Sequence, residues 1–245
     1  ELKLNFNKLN QLDASWKYII WTNQADLFAE VRGIKNVEIR EILEFKGSPY
    51  YNTLLDIMHQ SNEFSPYLAH ASDLFRLMIL QKFGGIYSDT DAEVYKPEAL
   101  LELIKRFDFI GVRETLREFS YYINGFIAAK PNHPVLNNAL ERFIKYYNAE
   151  QKDPNIPEYI KYPCNIYDKV LFKGPLLLTI SYFDKNNLNG NNDIIMPSWM
   201  LVNREFARFK NNDCKLSEIT EESFKDIDNN LNALLEEFIK NPMLE

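Results

Sequence analysis

Cysteine and histidine are scarce in this chain of 245 residues, which contains two cysteines and three histidines. Cys164 and Cys214 do not have the spacing of a metal or redox motif, so the simplest expectation is a reducing compartment. The histidines lie far apart in the sequence, which argues against a histidine-rich zinc site. They are His59, His70 and His133.

An excess of positive charge is also missing, since the formal net charge is −7. This acidic balance argues against a nucleic-acid partner. No apolar run reaches the ~18 residues expected of a membrane span, and the opening residues show no signal-peptide pattern. We therefore expect a cytoplasmic protein, with peripheral contact at the inner face of the membrane left open. The length and the absence of repeats fit a single α/β domain over residues 1–245.

The most informative stretch covers residues 71–91. It begins with a helix that has almost no polar stripe and should therefore be buried on most sides. Gly84 and Gly85 should end this helix, because glycine adopts the left-handed backbone of a helix terminus. A short strand should follow, ending in Asp89-Thr90-Asp91. The apolar helix positions are Leu74, Phe75, Leu77, Met78, Ile79, Leu80 and Phe83.

The two carboxylates at the end of this strand suggest a site for a divalent cation. Two carboxylates 4 Å apart repel by roughly 4 kcal/mol at an effective dielectric constant of ~20, and a cation removes that repulsion. Mg²⁺ and Mn²⁺ prefer hard oxygen ligands, and phosphate groups of a substrate can complete their coordination shell. Asp89 and Asp91 are therefore candidate metal ligands. An isolated Asp-X-Asp is, however, more often a turn or a helix cap.

A charged pair lies on the same apolar helix. Asp73 and Arg76 are three residues apart and should share one helix face. Charged side chains in a buried helix need partners, so the two either form an internal salt bridge or face a polar cavity.

Taken together, these patterns resemble one specific family. A helix with Ala-Ser-Asp-x-x-Arg, followed by Gly-Gly-x-Tyr-x-Asp-x-Asp, is similar to the DXD-motif glycosyltransferases. That group includes Och1-type mannosyltransferases, capsule and lipooligosaccharide sugar transferases, and the glucosylating domains of large clostridial toxins. The resemblance implies a GT-A-type α/β fold with a mixed central sheet flanked by helices. It also implies a nucleotide-sugar donor, UDP-linked by preference, with Mn²⁺ or Mg²⁺ as cofactor.

The resemblance also implies roles for individual residues. Asp91 should bind the metal directly, while Asp89 should contact the metal through water or contact the ribose of the nucleotide. Tyr87 belongs to the same cofactor-binding motif. Asp73 and Arg76 should bind hydroxyl groups of the donor sugar.

Asn124 should also face the donor sugar, because family members commonly carry an asparagine at the matching position. A plain turn before Gly125 is the alternative for this residue.

The rest of the chain alternates short strands and helices, which favours an α/β sandwich with a mixed sheet. Residues 113–122 should form a polar and aromatic loop bordering the site. Residues 148–173 should form a lid or an acceptor-facing loop, and residues 216–240 a packing helix. Other expected strands cover residues 16–21, 37–42, 92–95, 109–112 and 124–129, and residues 194–199 should form the last strand and an exit turn. Other expected helices cover 24–32, 50–59, 98–107 and 134–147. Gly174-Pro175 matches the pair that opens a late helix in the family.

Two features depart from the family pattern. The first strand, which normally helps to hold the nucleotide base, is not found, so either the sequence begins late or residues 1–12 replace that strand in divergent form. No histidine follows His133 to close the metal site. A third ligand would then be Asn203, Glu205, Ser198 or no protein group.

The resulting hypothesis is a metal-dependent glycosyltransferase that moves a hexose to an acceptor hydroxyl with retention of configuration. A bacterial surface polysaccharide or lipooligosaccharide is the first expectation for the acceptor, and a host protein, as for the toxins, is the second. A catalytically silent sugar- or nucleotide-binding module of the same fold is the main rival.

Two further alternatives fit the residues less well. In a haloacid dehalogenase-type phosphohydrolase the carboxylate pair lies near the N-terminus, and Glu93 here replaces the usual Thr or Val. An EF-hand loop would need glycine where Val94 stands.

Overall fold

The computed structural model describes residues 16–60, 66–89, 92–94, 97–116, 119–152, 172–197 and 202–204. Several predictions fall outside these residues. They are the helical pattern of residues 1–12, most of the predicted loop 148–173, the predicted helix 216–240, and Asp91, Ser198 and Glu205.

The described chain alternates strands and helices as predicted. The strands are β1 (Tyr18–Thr22), β2 (Val37–Glu41), β3 (Gly85–Ser88), β4 (Ala92–Val94), β5 (Phe109–Leu116), β6 (Phe119–Ala129), β7 (Asp193–Pro197) and β8 (Val202–Arg204). The α-helices are α1 (Tyr51–Gln60), α2 (Pro66–Phe83), α3 (Pro97–Arg106), α4 (Pro134–Lys152) and α5 (Leu177–Lys185). Short 3-10 helices cover Ala25–Val31, Ile42–Phe45 and Leu188–Gly190, and a π-helical turn covers Phe172–Leu176.

The central sheet has four strands in the order β3-β6-β5-β7. Strand β6 runs antiparallel to both β3 and β5, whereas β7 runs parallel to β5, so the sheet is mixed. Strands β1 and β2 form a separate parallel pair, and β4 pairs antiparallel with β8. The predicted mixed α/β architecture is confirmed.

Strand β6 is irregular where it passes the middle of the sheet. Its register with β5 pairs Ile110 with Ala128 but Val112 with Ile123. A step of two residues along β5 therefore corresponds to a step of five along β6, and the extra residues include Asn124 and Gly125. Such bulges redirect side chains and occur often beside functional sites.

The central sheet lies between two hydrophobic cores. Helices α1, α2, α4 and α5 pack on one face, and α3 packs on the other. The alternation of β6 produces this division, because Ile127 points into the first core while its neighbours Phe126 and Ala128 point into the second. Representative buried residues of the first core are Leu54, Leu74, Met78, Leu140 and Leu177, and of the second Leu103, Ile110, Val112 and Met196.

Helix α2 is the buried helix that the sequence predicted. Its Leu74, Leu77 and Leu80 are almost fully buried. The helix ends where Gly84 and Gly85 adopt φ values of 64° and 95°, in the left-handed region that favours glycine. A side chain on Gly84 would also collide with Pro131. The chain therefore turns sharply from α2 into β3.

Two sequence predictions about the elements were wrong. Within the predicted loop 113–122, residues 113–116 belong to β5 and residues 119–122 to β6, with Arg113 opposite Tyr122. Their aromatic and β-branched content favours extended backbone once a partner strand is present. Helix α4 continues to Lys152 instead of ending at Tyr147, although its core positions Leu136, Leu140 and Phe143 are those of the predicted amphipathic pattern.

Candidate active site

The guanidinium group of Arg76 is the centre of a buried polar cluster. Its Nη1 donates to the backbone carbonyl of Asn124 at 2.6 Å, and its Nη2 lies 3.1 Å from Oδ1 of Asp73. Nη1 also lies 3.4 Å from Oδ1 of Asp89. The Arg76 side chain is only 6% exposed, so these contacts replace water around a buried cation. One arginine on α2 thus joins β6 to the carboxyl end of β3.

Asp73 and Asn124 form the half of the cluster that lies between α2 and β6. Asn124 Nδ2 donates to Asp73 Oδ1 at 2.7 Å. The second carboxylate oxygen, Oδ2, is buried and has no hydrogen-bond partner among the described residues. The irregular backbone of β6 brings the Asn124 side chain to Asp73 and its carbonyl to Arg76.

Burial sets the protonation of Asp73. Removal from water raises the pKa of this carboxyl from 3.8 to about 6, although Arg76 and the Asn124 hydrogen bond act in the opposite direction. The nearby charge of Asp89 adds to the increase. Asp73 is therefore a buried carboxylate with a raised proton affinity.

Asp89 and Tyr87 form the half of the cluster that lies at the end of β3. The Tyr87 hydroxyl donates to Asp89 Oδ1 at 2.9 Å, and the guanidinium carbon of Arg76 lies 4.7 Å from the centre of the Tyr87 ring. Burial raises the pKa of Tyr87 to about 12, so its hydroxyl keeps its proton at neutral pH. The Asp89 backbone N–H donates to the carbonyl of Gly125 at 2.8 Å, which fixes Asp89 against β6.

Ser72 is a member of the cluster that the sequence interpretation did not assign a role. Its Oγ accepts from Arg76 Nη2 at 3.0 Å, and its carbonyl accepts from Arg76 Nε at 3.2 Å. Its Oγ also lies 3.4 Å from the Tyr87 hydroxyl. The four-residue spacing between Ser72 and Arg76 on a helix was the available signal.

The structure therefore brings together five of the six residues that the sequence singled out. Asp73, Arg76, Tyr87, Asp89 and Asn124 form one connected cluster. The sixth, Asp91, lies outside the described residues.

The cluster offers hard oxygen ligands at one end. The Asp89 side chain is 25% exposed, and Asp91 follows it two positions later in the sequence. The pairing of β4 with β8 places Asn203 opposite Glu93 in register, two residues after Asp91. A carboxylate that reaches the surface next to a second carboxylate in sequence suits Mg²⁺ or Mn²⁺. Within the described part of the chain, no three His, Cys, Asp or Glu side chains form a ready cation cage.

A turn from a distant part of the chain lies against the Asp73–Asn124 pair. A methyl group built on Gly174 would lie 2.4 Å from Asn124 Nδ2 and 2.8 Å from Asp73 Oδ2. Gly174 belongs to the π-helical turn Phe172–Leu176, which precedes α5.

A second buried polar pair serves the fold and lies in different elements. His133 Nε2 lies 2.9 Å from Asp193 Oδ1, and both side chains are fully buried. The backbone N–H of Val135 donates to His133 Nδ1 at 3.3 Å, so the imidazole caps the start of α4 while it contacts β7.

Comparison with known proteins finds similarity to glycosyltransferases. Residues 1–110 match the family model described as a glycosyltransferase sugar-binding region containing a DXD motif. This match includes Asp73, Arg76, Tyr87, Asp89 and Asp91. The chain resembles the DXD-motif glycosyltransferases. The resemblance that the sequence predicted is thereby confirmed.

Individual relatives cover only parts of the chain. A human alpha-1,4-N-acetylglucosaminyltransferase is 34% identical over 79 residues, 32% of this chain and 20% of that protein. Inositol phosphoceramide mannosyltransferase 1 of Schizosaccharomyces pombe is 27% identical over 167 residues, 68% of this chain and 40% of that protein. This chain thus spans less than half the length of either relative.

The fold has a solved counterpart. The structure named PaToxG Glycosyltransferase aligns with a TM-score of 0.50 and 19% identity, covering 76% of this chain and 62% of that one. The expected GT-A-type α/β fold is confirmed. No helix in the described ranges is both long enough and apolar enough to cross a membrane.

Proposed function

We propose that this chain is the catalytic domain of a metal-dependent glycosyltransferase. It would transfer a hexose from a nucleotide-sugar, preferably a UDP-sugar, to an acceptor hydroxyl with retention of configuration. The observation that carries this proposal is the Arg76 guanidinium, which contacts both the Asp73–Asn124 pair and Asp89 at the start of the DXD sequence. The buried Arg76 side chain therefore connects the end of the site expected to bind the sugar to the end expected to bind the diphosphate.

At the sugar end, Asp73 and Asn124 would bind hydroxyl groups of the donor. Asp73 Oδ2 has no hydrogen-bond partner among the described residues, and a buried carboxylate oxygen without a partner costs free energy. A sugar hydroxyl would satisfy it. Because a site built to hydrogen-bond a hydroxyl rejects sugars that lack it or place it differently, this oxygen would also select among epimers.

At the other end, Asp91 and Asp89 would hold the divalent cation. When bound, the cation neutralises the negative charge that develops on the leaving diphosphate. Tyr87 would keep Asp89 in position through its hydroxyl, since its pKa of about 12 leaves it a donor at neutral pH. Arg76 would hold the nucleotide-sugar between the two ends of the site. The N–H groups of its planar guanidinium have fixed directions, so arginine suits this task better than lysine.

The acceptor would be a carbohydrate hydroxyl on a polysaccharide or a glycolipid. No side chain in the sequence stands out as a covalent nucleophile. This agrees with direct attack of the acceptor hydroxyl on the donor sugar from the side of its phosphate. A cytoplasmic enzyme that works at a membrane surface would fit such acceptors.

A donor panel tests this function. Hydrolysis and binding of UDP- and GDP-sugars should be measured with and without Mn²⁺ for the wild type, Arg76→Lys and Arg32→Lys. Arg32 is the matched control, because its exposed pair with Asp26 lies on the surface. We expect metal-dependent release of one nucleotide, with kcat/KM falling by about 100-fold in Arg76→Lys because the donor is misplaced, and unchanged in Arg32→Lys.

Three other results would each have a clear meaning. Metal-dependent binding without release of nucleotide would favour the silent binding module. Release that is equal in Arg76→Lys and wild type would contradict the role of the cluster. No binding of any donor would contradict the proposed function.

A further inference from the structure

The turn that contains Gly174 lies on the Asp73–Asn124 pair without leaving room for a side chain. A methyl group on Gly174 would approach Asn124 Nδ2 to 2.4 Å, Asp73 Oδ2 to 2.8 Å and Asp73 Cγ to 3.1 Å. Contacts under 3.0 Å are not tolerated, so either the turn or the pair would have to shift. Neither group can easily move aside, because the Asp73 and Asn124 side chains are short and are held by the hydrogen bond between them.

Backbone conformation does not explain the glycine at this position. Gly174 is not among the residues with positive φ, whereas Gly33, Gly84, Gly85 and Gly190 are. An alanine would therefore find its backbone geometry acceptable at position 174, and the steric contact alone excludes it.

The turn is also fixed in place relative to β6. Thr179, in the first turn of α5, accepts from the Tyr122 backbone N–H at 2.9 Å and donates to the Pro175 carbonyl at 2.8 Å. Tyr122 is two residues before Asn124 on β6. Since this anchor limits sliding of the turn, an added methyl group would be accommodated mainly by movement of the Asp73–Asn124 pair.

We propose that Gly174 is a positioning residue for the donor-sugar site. Its missing side chain lets the turn rest directly on the Asp73–Asn124 pair, which fixes the direction of both groups and keeps water from Asp73 Oδ2. This inference rests on the proposed function.

A double-mutant cycle tests the inference. Donor hydrolysis should be measured for the wild type, Gly174→Ala, Asn124→Ala and the double variant, with the donor chosen from the panel. Gly47→Ala is the matched control, since a methyl group there meets nothing within 4 Å and Gly47 has no positive φ. We expect Gly174→Ala to lower kcat/KM by about tenfold or more, and Gly47→Ala to leave it unchanged.

The decisive comparison is the coupling between the two sites. Asn124→Ala removes the atom that the new methyl group would approach most closely, and it also removes a hydrogen bond that holds Asp73, so the Asp73 carboxylate can turn away from the methyl group. In that background Gly174→Ala should therefore cost less than about threefold. An equal cost in both backgrounds would assign Gly174 to general packing and overturn the inference. So would a Gly174→Ala variant that is as active as Gly47→Ala.

Two further outcomes separate the inference from the proposed function. A wild type that neither binds nor hydrolyses any donor contradicts the proposed function, and the inference fails with it. An active wild type with an unaffected Gly174→Ala contradicts the inference alone.

If Gly174→Ala yields no folded protein, recovery of folded protein in the double variant supports the contact, and no recovery contradicts it.

Discussion

The two oxygens of the Asp73 carboxylate differ in their hydrogen bonding. Oδ1 receives Asn124 and lies beside Arg76, whereas Oδ2 is buried without a hydrogen-bond partner among the described residues. A fold optimised for stability alone would avoid this arrangement, because an unsatisfied buried acceptor costs about 1–3 kcal/mol. A buried acceptor that lowers stability in this way is typical of a residue that binds a ligand.

This arrangement predicts an unusual dependence of stability on pH. Burial raises the pKa of Asp73 from its ordinary value of 3.8 to about 6, so the folded protein binds the proton more tightly than the unfolded chain. Stability should therefore be lost as pH rises through this window, by about 3 kcal/mol for a pKa difference of this size.

Urea unfolding of the wild type and Asp73→Asn between pH 4 and pH 7, in the presence of a chelator, measures this effect. Asn does not titrate, so the difference in unfolding free energy should move by about 2–3 kcal/mol in favour of the variant as pH rises. Asp26→Asn is the control, because the Asp26 side chain is fully exposed. A pH-independent difference, or a wild type that gains stability with pH relative to Asp73→Asn, would contradict a raised pKa.

At the scale of elements, the site depends on contacts between α2, β3, β6 and the turn before α5. Thr179 is the residue that ties this turn to β6, since its single hydroxyl both accepts from Tyr122 and donates to Pro175. The Tyr122 backbone N–H is buried, and it would lose its partner if that hydroxyl were removed.

Thr179→Val should therefore destabilise the protein, by about 1–3 kcal/mol, because it leaves a buried N–H and a carbonyl unsatisfied with little change in shape. Thr179→Ser keeps the hydroxyl and should cost clearly less. Chemical denaturation of the three proteins provides the measurement. A loss in Thr179→Val no larger than that in Thr179→Ser would contradict the role of the hydroxyl, because serine keeps the hydroxyl and loses only the methyl group.

The same scale shows what the sequence could and could not predict. Helix α2 and its end were predictable, because a continuous apolar pattern and the Gly84-Gly85 pair are local signals. The strand structure of residues 113–116 and 119–122 was not, since polar and aromatic residues become strand only when a partner strand is present. The irregular register that presents Asn124 depends on pairing with two other strands, and no local pattern encodes it.

At the scale of the whole molecule, a mixed sheet with helices on both faces collects residues far apart in sequence around one arginine. The sequence predicted most of this cluster because its members carry family motifs, and the structure places Asp73, Arg76, Tyr87, Asp89 and Asn124 together. The contact of Gly174 with the pair was not predicted, because Asn124 and Asp73 precede Gly174 by about 50 and about 100 residues in the chain. The role of Asp91 stays a prediction.

The central claim is that a divalent cation held at Asp91 activates a nucleotide-sugar whose sugar lies at Asp73. Nucleotide release from the preferred donor, measured with Mn²⁺ and with a chelator for the wild type, Asp91→Ala and Asp56→Ala, tests it most directly. Asp56, exposed on α1, is the control. The wild type and Asp56→Ala should require Mn²⁺ and react equally fast, while Asp91→Ala should lose about 100-fold or more in kcat. Release by Asp91→Ala at the wild-type rate, or release by the wild type in chelator, would contradict the claim.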